Sequence, residues 1–107
     1  MTETSDEIQE RCIENIVNSS LDLAKIILVA EDLLIPDTYA KYFLSLHTAG
    51  FFDEKDALSL GDSVRLRNIL AHEYLDIRWK SIKDFLSTGW KVHQEFTNVI
   101  IKYLEDT

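Results

Sequence analysis

One cysteine, one proline and three glycines are all that this 107-residue chain holds of the residues that staple, break or loosen a backbone. With Cys12 as the single thiol, no disulfide can form within the chain, and nothing around it supplies the Cys and His spacing of a zinc site. No metal and no cofactor are expected. The longest apolar run, Ile26 to Ala30, is far too short to span a bilayer, and the acidic N-terminus lacks the basic start of a secretory signal. The expectation is a soluble, cytoplasmic protein with no membrane partner. Cations are scarce as well, and 11 Lys and Arg against 19 Asp and Glu leave a formal net charge of −8. That balance argues against a protein that coats nucleic acid nonspecifically, since such binding needs many cationic contacts to phosphate. DNA is not an expected partner.

What the chain does have is 46% hydrophobic residues, enough for one domain over residues 1–107 to bury a core. A mixture rich in Leu, Ile, Ala, Glu and Lys favours an all-α protein. Residues 1–4 are expected to fray, with Ser5 capping a first helix ahead of Asp6 and Glu7. Ile8, Cys12, Ile13, Ile16, Val17, Leu21, Ala24, Ile27 and Leu28 then recur mostly every three or four residues, predicting a helix to about Leu34 that Pro36 stops. Asp37 is the expected cap of a second helix, with Tyr39, Tyr42, Phe43 and Leu46 on one face and Gly50 as a left-handed stop. Phe51 and Phe52 pack in the connection, and Asp53 caps a third helix. There Ala57, Leu58, Leu60, Val64, Leu66, Ile69, Leu70 and Ala71 cover more than one face, so this helix is expected to be the most buried, with Gly61 marking a kink or a close backbone approach. Asp76 begins a fourth, whose period runs from Ile77 to Leu104 through Gly89. No segment reads as a strand. Four helices without linkers predict one antiparallel four-helix bundle.

The charge is unevenly spread. Residues 1–37 carry Arg11 and Lys25 against nine acidic residues, whereas residues 63–83 carry Arg65, Arg67, Arg78, Lys80 and Lys83 against Glu73 and Asp76. A local positive potential on an acidic body suits a small anionic site, although a solvated helix face gives the same count. Within that basic stretch lies Arg67-Asn68-Ile69-Leu70-Ala71-His72-Glu73-Tyr74. Asn68 and His72 are four apart and share a helix face, and the fork of Arg67 is long enough to reach an anion held beside them. Such a set supplies a phosphate clamp, an amide donor, a proton-transfer group and a phenol.

The wording Leu66-Arg67-Asn68-Ile69-Leu70-Ala71-His72-Glu73-Tyr74 resembles the Arg-x4-His-x-Tyr signature of the HEPN superfamily, in particular its HepT-like branch. A weaker resemblance extends to Ser20–Lys25, to the turn at Ile35-Pro36-Asp37-Thr38-Tyr39, and to the helix with Phe43 and Leu46. One departure is that such proteins usually carry a further helix ahead of the Asp22-Leu23-Ala24 segment, where this chain has a short acidic one. The resemblance implies a HEPN-type bundle that dimerises so that two motifs meet across a cleft. It also implies a metal-independent ribonuclease that acts on RNA as the toxin of a prokaryotic toxin–antitoxin pair, with a small nucleotidyltransferase as antitoxin. On that pattern Arg67 and His72 are catalytic, Asn68 orients the phosphate or His72, and Tyr74 is an AMP acceptor. Arg65, Arg78 and Lys80 are further candidates for contacting substrate.

Each residue also has a plainer reading. Arg67 alone would be a structural arginine paired with Glu73, Asp22 or another acid of the first helix. His72 alone would be a hydrogen-bonded histidine at a helix end, and Tyr74 a core aromatic. His47 and His93 read as packing or surface residues. The joint occurrence of the four motif residues favours anion chemistry over the separate structural roles. Two alternatives to an enzyme stay open, a noncatalytic nucleotide-binding or nucleotidyltransferase-docking module and a plain structural bundle.

Overall fold

Twenty-nine residues of unbroken helix, Thr2–Ala30, form α1 and set the length of the molecule. The computed structural model describes residues 2–72, 80 and 82–106, with side chains described for residues 8–70, 80 and 82–106. At ~1.5 Å of rise per residue, α1 accounts for most of the 46 Å long axis of a body 46 × 27 × 20 Å. It also lifts the radius of gyration to 14.4 Å, above the ~13 Å expected of a compact chain of this size. The helix takes in residues 2–4, outside the start expected at Ser5. Three more α-helices follow among the described residues: α2 (Ala40–Thr48), α3 (Glu54–His72) and α4 (Trp90–Glu105). A π-helical turn, Phe85–Gly89, leads into α4. No strand occurs among the described residues, and the all-helical class expected from composition is what the chain adopts.

The helix stops show which local signals decided the boundaries. Gly50 takes φ +93°, and its N–H donates to the His47 carbonyl while Phe51 N–H donates to Leu46. This is a Schellman stop on glycine, as expected, with Phe51 folded back on the core. The end of α1 differs from expectation: it comes at Ala30, well before Pro36. Asp32 occupies the left-handed region at φ 55°, with Asp32 N–H bonded to the Val29 carbonyl and Leu33 N–H to Leu28 at 2.8 Å. The same motif is therefore built on aspartate, one of the few residues with a side chain that tolerates this geometry.

Asp37 is not the cap of α2. That helix starts tightly, with Lys41 and Tyr42 N–H groups donating to the carbonyls of Thr38 and Tyr39. Asp37 instead pairs with Lys41 at 3.5 Å on the surface. Asp53 does cap α3, its Oδ1 accepting from Asp56 N–H at 2.9 Å. Gly61 marks no unusual approach, since a Cβ there would lie 3.6 Å from the Ala40 carbonyl oxygen. Asp76 and Ile77 lie outside the described residues.

Buried positions on α3, namely Ala57, Leu60, Ser63, Val64, Leu66 and Leu70, span about half the helix circumference. Leu58, expected inside, is 57% exposed. The helix packs on α1, on α4, on the π-helical turn and most extensively on α2. Phe96 of α4 closes the core, with Phe43 edge-on at 5.5 Å and Phe52 at 5.9 Å.

Beside this core lies a polar pair. His93 of α4 is buried, with Nδ1 2.7 Å from Ser20 Oγ of α1. Its Nε2 has no hydrogen-bond partner among the described residues, and the ring leans on Phe85. Burial pushes the His93 pKa down from 6.5 to about 4. The neutral imidazole is therefore the folded form.

Three outcomes follow for unfolding by urea. Between the unfolded pKa near 6.5 and the folded one near 4, the unfolded chain binds the extra proton. The stability contributed by His93 is thus complete above the upper value and lost as pH falls towards the lower. This group should make the protein about 2 kcal/mol less stable at pH 5 than at pH 7, a difference missing from His93→Gln. Gly89→Ala should cost about 1–3 kcal/mol, because the new Cβ would sit 2.9 Å from Cδ2 of the buried Phe85 ring. Gly61→Ala, with ordinary contact distance, should instead gain about 0.5–1 kcal/mol.

Candidate functional site

The position of Arg67 follows from the burial of α3. Arg67 lies about 60° around the helix from both Val64 and Leu70, so it starts from the inward face, half-buried, and its side chain meets Asn18 of α1 and Tyr39 at the start of α2. Its Nη1 donates to Asn18 Oδ1 of α1 at 2.9 Å. Its guanidinium carbon lies 5.1 Å from the centre of the Tyr39 ring, at the entry to α2. Tyr39 in turn meets Tyr42 edge-on at 5.3 Å, and Tyr42 is buried. A chain of contacts thus runs from the core through two tyrosines to the arginine.

An open cleft of about 500 Å³ lies beside these residues, lined by Asp37, Thr38, Tyr39, Ala40, Tyr42, Val64, Arg67 and Asn68. Its electrostatics rest on what Arg67 touches. Both partners, an amide oxygen and an aromatic face, are uncharged. Among the described residues no carboxylate forms an ion pair with Arg67, whereas Arg65 is paired with Asp62 at 3.1 Å. Among the described residues the guanidinium is therefore not ion-paired, and one of its five N–H donors goes to Asn18. Such a group can take a phosphate or carboxylate by two parallel hydrogen bonds. The exposed amide of Asn68 adds a donor on the same wall.

The other candidates fall in different places. His72 belongs to α3, four residues on from Asn68, and its side chain lies outside those described. Tyr74 and Arg78 also lie outside the described residues. Lys80 is exposed. Arg65 lies away from Arg67, lining a separate cavity of about 390 Å³ between α3 and the π-helical turn. His47 is a structural histidine, with its Nδ1–H donating to the Phe52 carbonyl at 2.8 Å. Asn18 and Tyr39 are the two residues of the site that the sequence did not single out for it. Tyr39 reads from sequence as part of the apolar face of the second helix, and it is 51% exposed. The one available signal for it was its place in the turn from Ile35 to Tyr39 that carries part of the resemblance.

Fold and cleft together define an all-helical protein that presents an arginine, bonded to no carboxylate among the described residues, and a neighbouring amide on one cleft. The family model described as Ribonuclease HepT-like matches residues 3–100, and the chain belongs to that family. No match was found among curated proteins or among solved structures.

An arginine held by neutral, partly exposed partners should be dispensable for folding. Arg67→Ala should change the free energy of unfolding in urea by less than about 1 kcal/mol. Breaking a buried ion pair would instead cost about 3–5 kcal/mol.

Proposed function

We propose that this member of the HepT-like ribonucleases is a metal-independent endoribonuclease and the toxin half of a prokaryotic toxin–antitoxin pair. The observation that carries the reading is Arg67, held on uncharged partners at an open cleft beside Asn68. Cleavage of RNA through its own 2′-hydroxyl needs proton transfer and charge stabilisation. In the proposed reaction His72 takes the 2′-hydroxyl proton and the freed oxygen attacks phosphorus. Arg67 meets the negative charge that develops on the phosphoryl oxygens, while Asn68 orients the phosphate or His72. The bond to the 5′-oxygen then breaks, and that oxygen collects a proton, leaving a 2′,3′-cyclic phosphate and a 5′-hydroxyl.

A single histidine serves poorly as both base and acid, so a homodimer that brings a second copy of the motif to the same RNA is part of the proposal. The outer side of α1 supports it. Ile8, Ile16 and Ile26, exposed by 58%, 38% and 58%, lie within about 80° of one another around the helix. Tyr74 is the proposed acceptor of AMP from a small nucleotidyltransferase antitoxin, a modification that would block the cleft with a charged group. Arg78 and Lys80 would steer the RNA backbone.

Cleavage of a single-stranded RNA by the purified protein, with product ends identified, tests the reading. Arg67→Ala and His72→Ala should each lower the rate by at least about 100-fold with urea midpoints unchanged. Ile16→Glu with Ile26→Glu should yield a monomer by light scattering and lose cleavage as well. Full cleavage by both motif variants would refute the mechanism. Binding of nucleotide or of a nucleotidyltransferase without any cleavage would replace it with a noncatalytic module.

A further inference from the structure

Asn18 and Tyr39 meet Arg67 from two different elements and in two different directions. Asn18 Oδ1, from α1, accepts a hydrogen bond from Nη1 at 2.9 Å, a contact made along the edge of the guanidinium. The Tyr39 ring, from the turn that leads into α2, lies with its centre 5.1 Å from the guanidinium carbon, within the range of a cation–π contact. We propose that Asn18 and Tyr39 are positioning residues that hold Arg67 in one orientation facing the cleft. Their role rests on the reading of Arg67 as the residue that contacts the scissile phosphate.

The physical need is plain. Arginine has a long side chain with many rotamers, and an untethered guanidinium at a cleft edge would have to be ordered anew each time a phosphate arrived. One in-plane hydrogen bond and one ring contact restrict both the reach of the side chain and the tilt of its plane. Neither contact neutralises the charge. A carboxylate in place of Asn18 would hold the arginine at least as firmly but would compete with phosphate for it. Tyr39 is itself fixed by its edge contact with the buried Tyr42, so the restraint is anchored in the core. The phenol oxygen plays no part in the ring contact, so phenylalanine should substitute for Tyr39 and leucine should not.

The test uses the full chain with two readouts. The first is the Nε–Hε resonance of Arg67 in a ¹H–¹⁵N spectrum, assigned by its disappearance in Arg67→Lys. It should shift and exchange faster with water in Tyr39→Leu and in Asn18→Ala, and stay close to wild type in Tyr39→Phe. The second is steady-state cleavage of a single-stranded RNA oligonucleotide. Tyr39→Leu and Asn18→Ala should lower kcat about tenfold with KM changed less than about twofold, and Tyr39→Phe should restore kcat. Asn18→Asp should leave the resonance ordered but raise KM about tenfold, which a purely structural contact would not do.

Asn18 and Tyr39 are exposed, so these variants should keep the wild-type urea midpoint. An Arg67 resonance indifferent to both Tyr39→Leu and Asn18→Ala would overturn the proposal. So would a resonance that moves while kcat and KM do not. A wild-type protein that cuts no RNA would overturn the ribonuclease reading alone, because the resonance still reports whether the two residues hold the arginine.

Discussion

Burial of Leu60, Val64, Leu66 and Leu70 in the shared core holds α3 against α1, α2 and α4, and the residues of the cleft take their places from that packing. Each such side chain contributes about 1.5–3 kcal/mol when fully buried, far more than any single contact at the cleft. The helix has no freedom to rotate without exposing them. A turn of even one residue would carry Arg67 away from Asn18 and Tyr39 by about 100°. The precision of the cleft is therefore a property of the core, expressed at its edge.

Much of this arrangement was legible in the sequence because it depends on local patterns. The core face of α1 through Ile13, Val17, Leu21, Ala24, Ile27 and Leu28 was visible in its period, as were the stop at Gly50 and the cap at Asp53, whereas Ile8, Cys12 and Ile16 of the same stripe are exposed. The end of α1 was not, because the left-handed residue there is Asp32 rather than a glycine, and Pro36 offered a more obvious breaker. Asp37 has the look of a cap in the sequence, but backbone carbonyls of Thr38 and Tyr39 accept from the N–H groups of Lys41 and Tyr42 at the start of α2. The π-helical turn was hidden as well, since Gly89 interrupts the apolar period without giving an obvious stop.

Arg67 and Asn68 could be found from sequence because adjacent residues on one helix share a neighbourhood. Asn18, 49 residues away from Arg67, could not. The separation of Arg65 from Arg67 is implicit in the roughly 200° that two residues turn on a helix, but a count over the basic stretch does not say which of the two carries an acidic partner. On α3 the two are placed against different neighbours, one carrying an acidic partner and the other none among the described residues. A charge count over a segment says how much positive potential is present, and packing decides which charge is left unspent.

The neutral partners of Arg67 also fix how the site should respond to ionic strength. Exposed ion pairs weaken as salt rises and the Debye length shortens to about 8 Å at physiological strength. A hydrogen bond to an amide and a contact with a tyrosine ring depend on salt far less. The grip on the guanidinium thus stays nearly constant while the attraction of an incoming polyanion falls. Salt titration at this cleft would therefore report on the charge of the ligand and on the exposed Asp37–Lys41 pair at its wall, with the hold on Arg67 acting as a fixed reference.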